Sequence, residues 1–274
     1  MTYAKLGERW TELKGGRIRY FVAGDGPPLV LVHGLGGSAM NWCEVVPLLA
    51  HERRVVVPDL PGHGRSDPLP AVAGLGAFAD RVAAVAAQEE ALPAPVVGHS
   101  LGGVVALHLA LRHPAAVTRM VLAAAAGLSS GTRFKRSLLS VSMTMRPGRL
   151  AARHTDRITR SPRLRRAAFG RYYVADPVGM TEAAVRGFLA GHLLHTDLAT
   201  AWRALRTDDP REELEAIQCP ALVLWGSLDA QLPLDDAFEY TRRLRAKLRV
   251  IPDCGHLLIG ERPDACADAI LSFV

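Results

Sequence analysis

Apolar residues in this chain gather into short aliphatic runs that do not alternate with polar ones: 18–22, 29–32, 55–57, 94–97, 117–123, 221–225 and 248–251. Unalternating runs of this length suit strands covered on both faces, as in a parallel sheet. Residues 18–22 and 29–32 read as two strands around a Gly- and Pro-rich turn at 24–28. Between the runs the spacing becomes helical, at 78–89 and again at 101–111, directly after the 94–97 run. A last helix is expected to start near Pro263, since proline suits the first helical turn, and to run to the chain end. This alternation predicts an α/β fold with a mostly parallel central sheet flanked by helices.

One stretch does not fit the alternation. About 95 residues separate the run ending near Ala124 from the one beginning near Ala221, far too many for a connection. The expected division is a core of residues 1–127 and 206–274 interrupted by an inserted all-helical cap, 128–205, with a return helix after it. Arg149, Arg153, Arg157 and Arg160 recur at helical spacing and are expected on one helix face.

The strongest chemical signal is Gly98-His99-Ser100-Leu101-Gly102, a GxSxG pattern joining a strand to a helix. A nucleophile on such a sharp turn needs neighbours without a Cβ, and the helix start brings partial positive charge to a developing oxyanion. A serine hydroxyl also needs a base held by a third group. His256 follows the last strand and Asp229 the strand before it, which gives the order Ser100, Asp229, His256 at the carboxyl ends of strands. Asp253 is a second carboxylate near His256 in sequence. Cys254, two residues before His256, reads as a small buried side chain rather than a nucleophile. His33 is expected to order the loop that follows it, and Asp59 and His63 to belong to a tight turn rich in Pro and Gly.

Five stretches together, Val32 to Ser38, Pro58 to Ser66, Gly98 to Gly103, Trp225 to Asp229 and Cys254 to His256, make the chain resemble the α/β-hydrolase fold family over nearly its whole length. It resembles in particular the serine-nucleophile, esterase- and lipase-like branch with a helical cap. That resemblance implies a serine hydrolase cleaving a carboxylic ester through an acyl-enzyme. It implies Ser100, Asp229 and His256 as catalytic residues, the backbone N–H groups of Leu35 and Leu101 as oxyanion hole, and no cofactor or metal. Trp42, His99, Phe188 and His192 are expected at the substrate. Phe134, Met143, Met145, Phe169, Tyr172, Tyr173 and Trp202 are further candidates for shaping an acyl pocket. The serine separates the chain from haloalkane dehalogenases and epoxide hydrolases, which use an aspartate. Carbon–carbon bond hydrolases often carry Asn before the serine, where this chain has His99. A ligand receptor built on the same fold is the non-enzymatic alternative.

Composition refines this picture in two ways. Hydrophobic residues are 49% of the chain and aromatics only 6%, so the core must be built from small aliphatic side chains. The net charge of +6 belongs to one segment: residues 133–171 hold 12 of the 33 Lys and Arg but only one of the 27 acids, Asp156, which leaves the rest of the chain net acidic. That segment reads either as a solvated arginine surface or as a docking face for an acidic carrier protein, a coenzyme A thioester or anionic lipid. The second option makes a thioesterase or carrier-linked ester hydrolase the alternative function. No aromatic platform or base-reading motif accompanies the charge, so nucleic acid is not an expected partner. Four cysteines without CxxC or zinc-ligand spacing point to free thiols. With no signal-like or membrane-spanning stretch, the expected location is the cytoplasm. The sequence does not address oligomeric state.

Overall fold

The aliphatic runs assemble into one eight-stranded sheet in a computed structural model that describes residues 7–128 and 147–274. The strands are β1 Gly7–Leu13, β2 Gly16–Ala23, β3 Pro28–Val32, β4 Arg54–Pro58, β5 Ala94–His99, β6 Val117–Ala123, β7 Ala221–Gly226 and β8 Lys247–Ile251. Their spatial order is β1-β2-β4-β3-β5-β6-β7-β8, antiparallel from β1 to β4 through β2 and parallel from β4 onward. Successive residues of β5, β6 and β7 are buried, including Val96, Val97, Val121, Leu122, Val223 and Leu224. Burial without alternation requires cover on both faces of the sheet.

That cover comes from α1 Val46–Leu49, α2 Leu75–Gln88, α3 Leu101–Arg112, α9 Leu234–Leu244, α10 Leu258–Glu261 and α11 Pro263–Leu271. Between β6 and β7 the described residues contain no strand and five helices: α4 Pro147–Arg153, α5 Thr155–Arg160, α6 Pro162–Tyr173, α7 Glu182–Ala190 and α8 Ala199–Thr207. These rest on the core loops. Asn41 Nδ2–H donates to the Gly187 carbonyl of α7, and the Arg165 guanidinium ties the insert to itself through the Thr159, Val178 and Met180 carbonyls.

Several local expectations are corrected. The two strands expected at 18–22 and 29–32 form as β2 and β3, with β4 lying between them in the sheet. β3 opens at Pro28, which lies opposite Arg54 of β4, and the Arg54 N–H donates to the Pro27 carbonyl, since a proline can accept in a ladder but not donate. β1 escaped the sequence reading: its side chains are almost all exposed, so no buried face imposed a readable alternation. The four arginines 149, 153, 157 and 160 fall on two helices broken at His154 rather than on one face. No return helix follows the insert. After α8 the chain makes two 3₁₀ turns, Pro210–Glu212 and Leu214–Ala216, since Pro210 disfavours helix at Asp209 before it.

Candidate active site

β5 ends at His99 and α3 begins at Leu101, so Ser100 alone makes the turn between them. Its backbone sits at φ 53°, ψ −115°, a left-handed conformation that L side chains avoid. The flanking glycines make the turn sterically feasible. A Cβ on Gly98 would overlap the Gly102 carbonyl, and one on Gly102 would overlap the Val32 carbonyl of β3. The packing of strand against helix thus dictates the glycines of GxSxG.

Three side chains from three loops meet at this turn. Asp229, after β7, has Oδ2 2.8 Å from His256 Nδ1, and His256 Nε2 lies 3.1 Å from Ser100 Oγ. A carboxylate only accepts, so Nδ1 carries the imidazole proton, and bare Nε2 receives the serine O–H. The other carboxylate oxygen, Oδ1, accepts the Gln231 and Leu232 N–H groups, both at 2.9 Å, which fixes its plane. The backbone of His256 is held from two sides: its N–H donates to the Tyr173 carbonyl, and its carbonyl accepts His99 Nε2–H at 2.9 Å. Asp253, by contrast, is exposed, and its carbonyl is taken by Arg262.

The residues around this line are buried. His33, which has no exposed surface, donates from Nδ1 to the Gly34 carbonyl and accepts the Leu60 N–H at Nε2. Burial pushes its pKa down to about 3, and does the same to His63 and His99. Asp59 is fully buried against Arg19 and accepts the Ala39 N–H; burial raises its pKa against the pull of Arg19. Cys254 is buried and its thiol pushed up by desolvation.

The other expected site residues occupy different depths. Leu101 opens α3, where an N–H has no intrahelical acceptor, and Leu35 lies in the Gly34–Gly37 turn closed by the Gly37 N–H on the Gly34 carbonyl. Gly34 approaches Ser100 so closely that a Cβ on it would stand 3.1 Å from Ser100 Cβ. Trp42 and His99 have almost no accessible surface, and neither Trp42 Nε1 nor His99 Nδ1 has a hydrogen-bond partner among the described residues. Phe188 of the insert packs its ring against Gly260 of α10, and His192 stands against Gly36 and Gly148. Phe169 is buried and Tyr172 exposed, while Arg206 lies over the Trp202 ring at 5.9 Å. Phe134, Met143 and Met145 lie outside the described residues. No group of three or more His, Cys, Asp or Glu among the described residues is placed to hold a metal ion, and none of their helices is long and apolar enough to cross a membrane.

A sheet of this order, with a serine turn after β5 and loops after β7 and β8 converging on it, is the architecture of one family. The family model described as alpha/beta hydrolase fold matches residues 27–263, and the chain belongs to that family. Among curated proteins it is 32% identical over 271 residues to the dihydrolipoyllysine-residue acetyltransferase component of an acetoin cleaving system from Pseudomonas putida, covering 96% of this chain and 68% of that protein. It is 30% identical to a pimeloyl-[acyl-carrier protein] methyl ester esterase from Vibrio atlanticus, covering 93% and 97%. Among solved structures it is similar to a membrane phospholipase A, with TM-score 0.78, 25% identity, and 98% of this chain and 86% of that one covered. The protein is therefore a hydrolase-fold enzyme.

Proposed function

We propose that the protein is a serine hydrolase that cleaves a carboxylic ester through an acyl-enzyme, with a core of residues 1–127 and 206–274 and a helical cap at 128–205. The observation that carries this reading is the unbroken line from Ser100 Oγ through His256 to Asp229, at 3.1 Å and 2.8 Å. His256 Nε2 takes the serine proton as Oγ attacks the ester carbonyl, and Asp229 stabilises the imidazolium and holds its tautomer. The carbonyl oxygen, now negative, is received by the N–H groups of Leu35 and Leu101, the second backed by the dipole of α3. His256 then gives its proton to the leaving alcohol. A water deprotonated by the same ring attacks the acyl-enzyme and releases the acid. Phe188 and His192 approach from the cap as substrate contacts, while Trp42 and His99 back the site. The residues in these roles need no metal or organic cofactor, and the proposed location is the cytoplasm.

A second reading, in which the ester or thioester is presented by an acidic carrier protein, is favoured by one surface. Arg149, Arg153, Arg157, Arg160, Arg163 and Arg166 are all exposed on α4, α5 and α6, and none is in an ion pair among the described residues. Relatives named as carrier-protein methyl ester esterases point the same way.

One panel tests both. Hydrolysis of p-nitrophenyl esters from acetate to palmitate, beside acyl-coenzyme A thioesters, is measured for wild type and Ser100→Ala at low and high salt. Ester turnover that falls about 10⁵-fold in the variant and ignores salt supports the small-ester reading. Thioester preference that collapses with salt transfers the assignment to the carrier-linked reading, and turnover indifferent to Ser100 removes both.

A further inference from the structure

The Gly34–Gly37 turn that presents the Leu35 N–H is pinned at two carbonyls, from opposite sides. From the core, His33 Nδ1–H donates to the Gly34 carbonyl at 2.8 Å. From the cap, His195 Nε2–H donates to the Gly36 carbonyl, also at 2.8 Å, across 159 positions of sequence. The other ring nitrogen of His195, Nδ1, accepts the Gly64 N–H at 3.0 Å. A backbone N–H only donates, so this second contact fixes the tautomer that puts the proton on Nε2. His195 thereby bridges the turn after β3 and the loop after β4.

The ring is seated by its neighbours. The N–H groups of Thr196 and Asp197 both donate to the Gly62 carbonyl at 3.0 Å, and Thr196 Oγ1–H donates to the Ser66 carbonyl at 3.1 Å. Gly62 permits that approach, since a Cβ there would overlap the Asp197 carbonyl. The His195 ring also stands edge-on to His63 and to His192, with centroids 5.5 Å away in each case. Both of its nitrogens are committed to backbone groups, so it is built as a strut.

We infer that His195 is a positioning residue through which the docked cap sets the oxyanion turn. The inference rests on the ester-hydrolase reading and on the Leu35 N–H as oxyanion donor. With the carbonyls on either side of Leu35 both anchored, the peptide carrying its N–H has little freedom to rotate. Releasing the Gly36 anchor leaves substrate binding to the rest of the site but lets the donor swing away from the oxyanion. The loss then falls on the transition state rather than on the ground state.

Two substitutions separate this role from mere docking. In His195→Asn the side-chain oxygen can still accept the Gly64 N–H, but nothing reaches Gly36. In His195→Gln the amide can reach the Gly36 carbonyl. Steady-state kinetics on a p-nitrophenyl ester, with inhibition by a trifluoromethyl ketone whose oxyanion occupies the hole, is compared with wild type. The expected result for His195→Asn is a kcat lower by about 10- to 100-fold, with KM within about threefold and inhibition weakened in step with kcat. His195→Gln is expected to recover most of it, and Thr196→Val, which removes only a docking contact, to stay within about twofold of wild type. The inference is overturned if His195→Asn keeps wild-type kcat, if KM absorbs the loss, or if Thr196→Val costs as much. A wild-type activity insensitive to Ser100→Ala would instead sink the hydrolase reading beneath it.

Discussion

The sheet and the inserted helices share one hydrophobic core but draw on burial and directional bonding in different proportions. In β3 to β7, consecutive aliphatic residues lose nearly all their accessible surface, and position follows from non-directional burial distributed over many contacts. The insert is built from helices of 6 to 12 residues with arginines on the outside. It is placed by buried side chains such as Val185, Phe188, Leu189 and Ala201 and, in addition, by directional bonds to the core loops: Gly187 O on Asn41, Gly62 O on Thr196 and Asp197, and Tyr173 O on His256. The sheet is covered on both faces, whereas the insert buries one side and leaves the other to solvent, so its outer surface can change without disturbing the sheet. On the function proposed above, the reaction belongs to the first region and selectivity to the second.

The sharpest break would come at the acid. Asp229→Asn presents an N–H to His256 Nδ1 and drives the ring to the wrong tautomer, so kcat on a p-nitrophenyl ester is expected to fall about 10⁴-fold. Asp253→Asn is expected to leave kcat within about twofold. A reversal of the two would move the triad acid. The next effect is on stability. His33, His63 and His99 all belong to the core, and burial lowers each from an ordinary value of 6.5 to about 3. Below about pH 6.5 the unfolded chain takes up protons that the folded one refuses, so stability is full above that pH and falls as pH drops toward 3. Each histidine removes about 1.4 kcal/mol per pH unit in that window. Melting curves between pH 7.5 and 4.5 should show Tm falling steeply, and a flat profile would mean that these rings are protonated in the fold. The smallest test compares the regions directly by urea unfolding. Leu122→Ala in β6 should lose about 2–5 kcal/mol, while Arg157→Ser on α5 should stay within about 0.5 kcal/mol. Equal losses would mean the exposed arginines hold the insert together.

Legibility in the sequence followed the same division. The parallel strands were readable because burial on both faces leaves an uninterrupted aliphatic run, and the GxSxG turn because steric closeness leaves only glycine. Asp229 and His256 could be located by their places after β7 and β8. β1 was hidden because its pairing with β2 uses backbone bonds and an Arg9–Glu89 contact rather than a buried face. α9 was not singled out either, since few apolar positions mark its inner side, mainly Leu234, Ala237, Tyr240 and Leu244. The place of β2 beside β4 and the reach of His195 to Gly36 depend on partners far away in sequence, and nothing local encodes them.

The backbone of Ser100 has a consequence for how this sequence can vary. At φ 53°, ψ −115° any residue with a Cβ is strained, and glycine is the residue that the conformation itself would choose. Selection for folding alone would drift position 100 toward glycine, and every step of that drift would abolish the proposed nucleophile. On the proposed function, a serine there is kept by chemistry against the pull of stability, which would make position 100 a sensor of function: in descendants released from catalysis, it is where the first relaxation should surface.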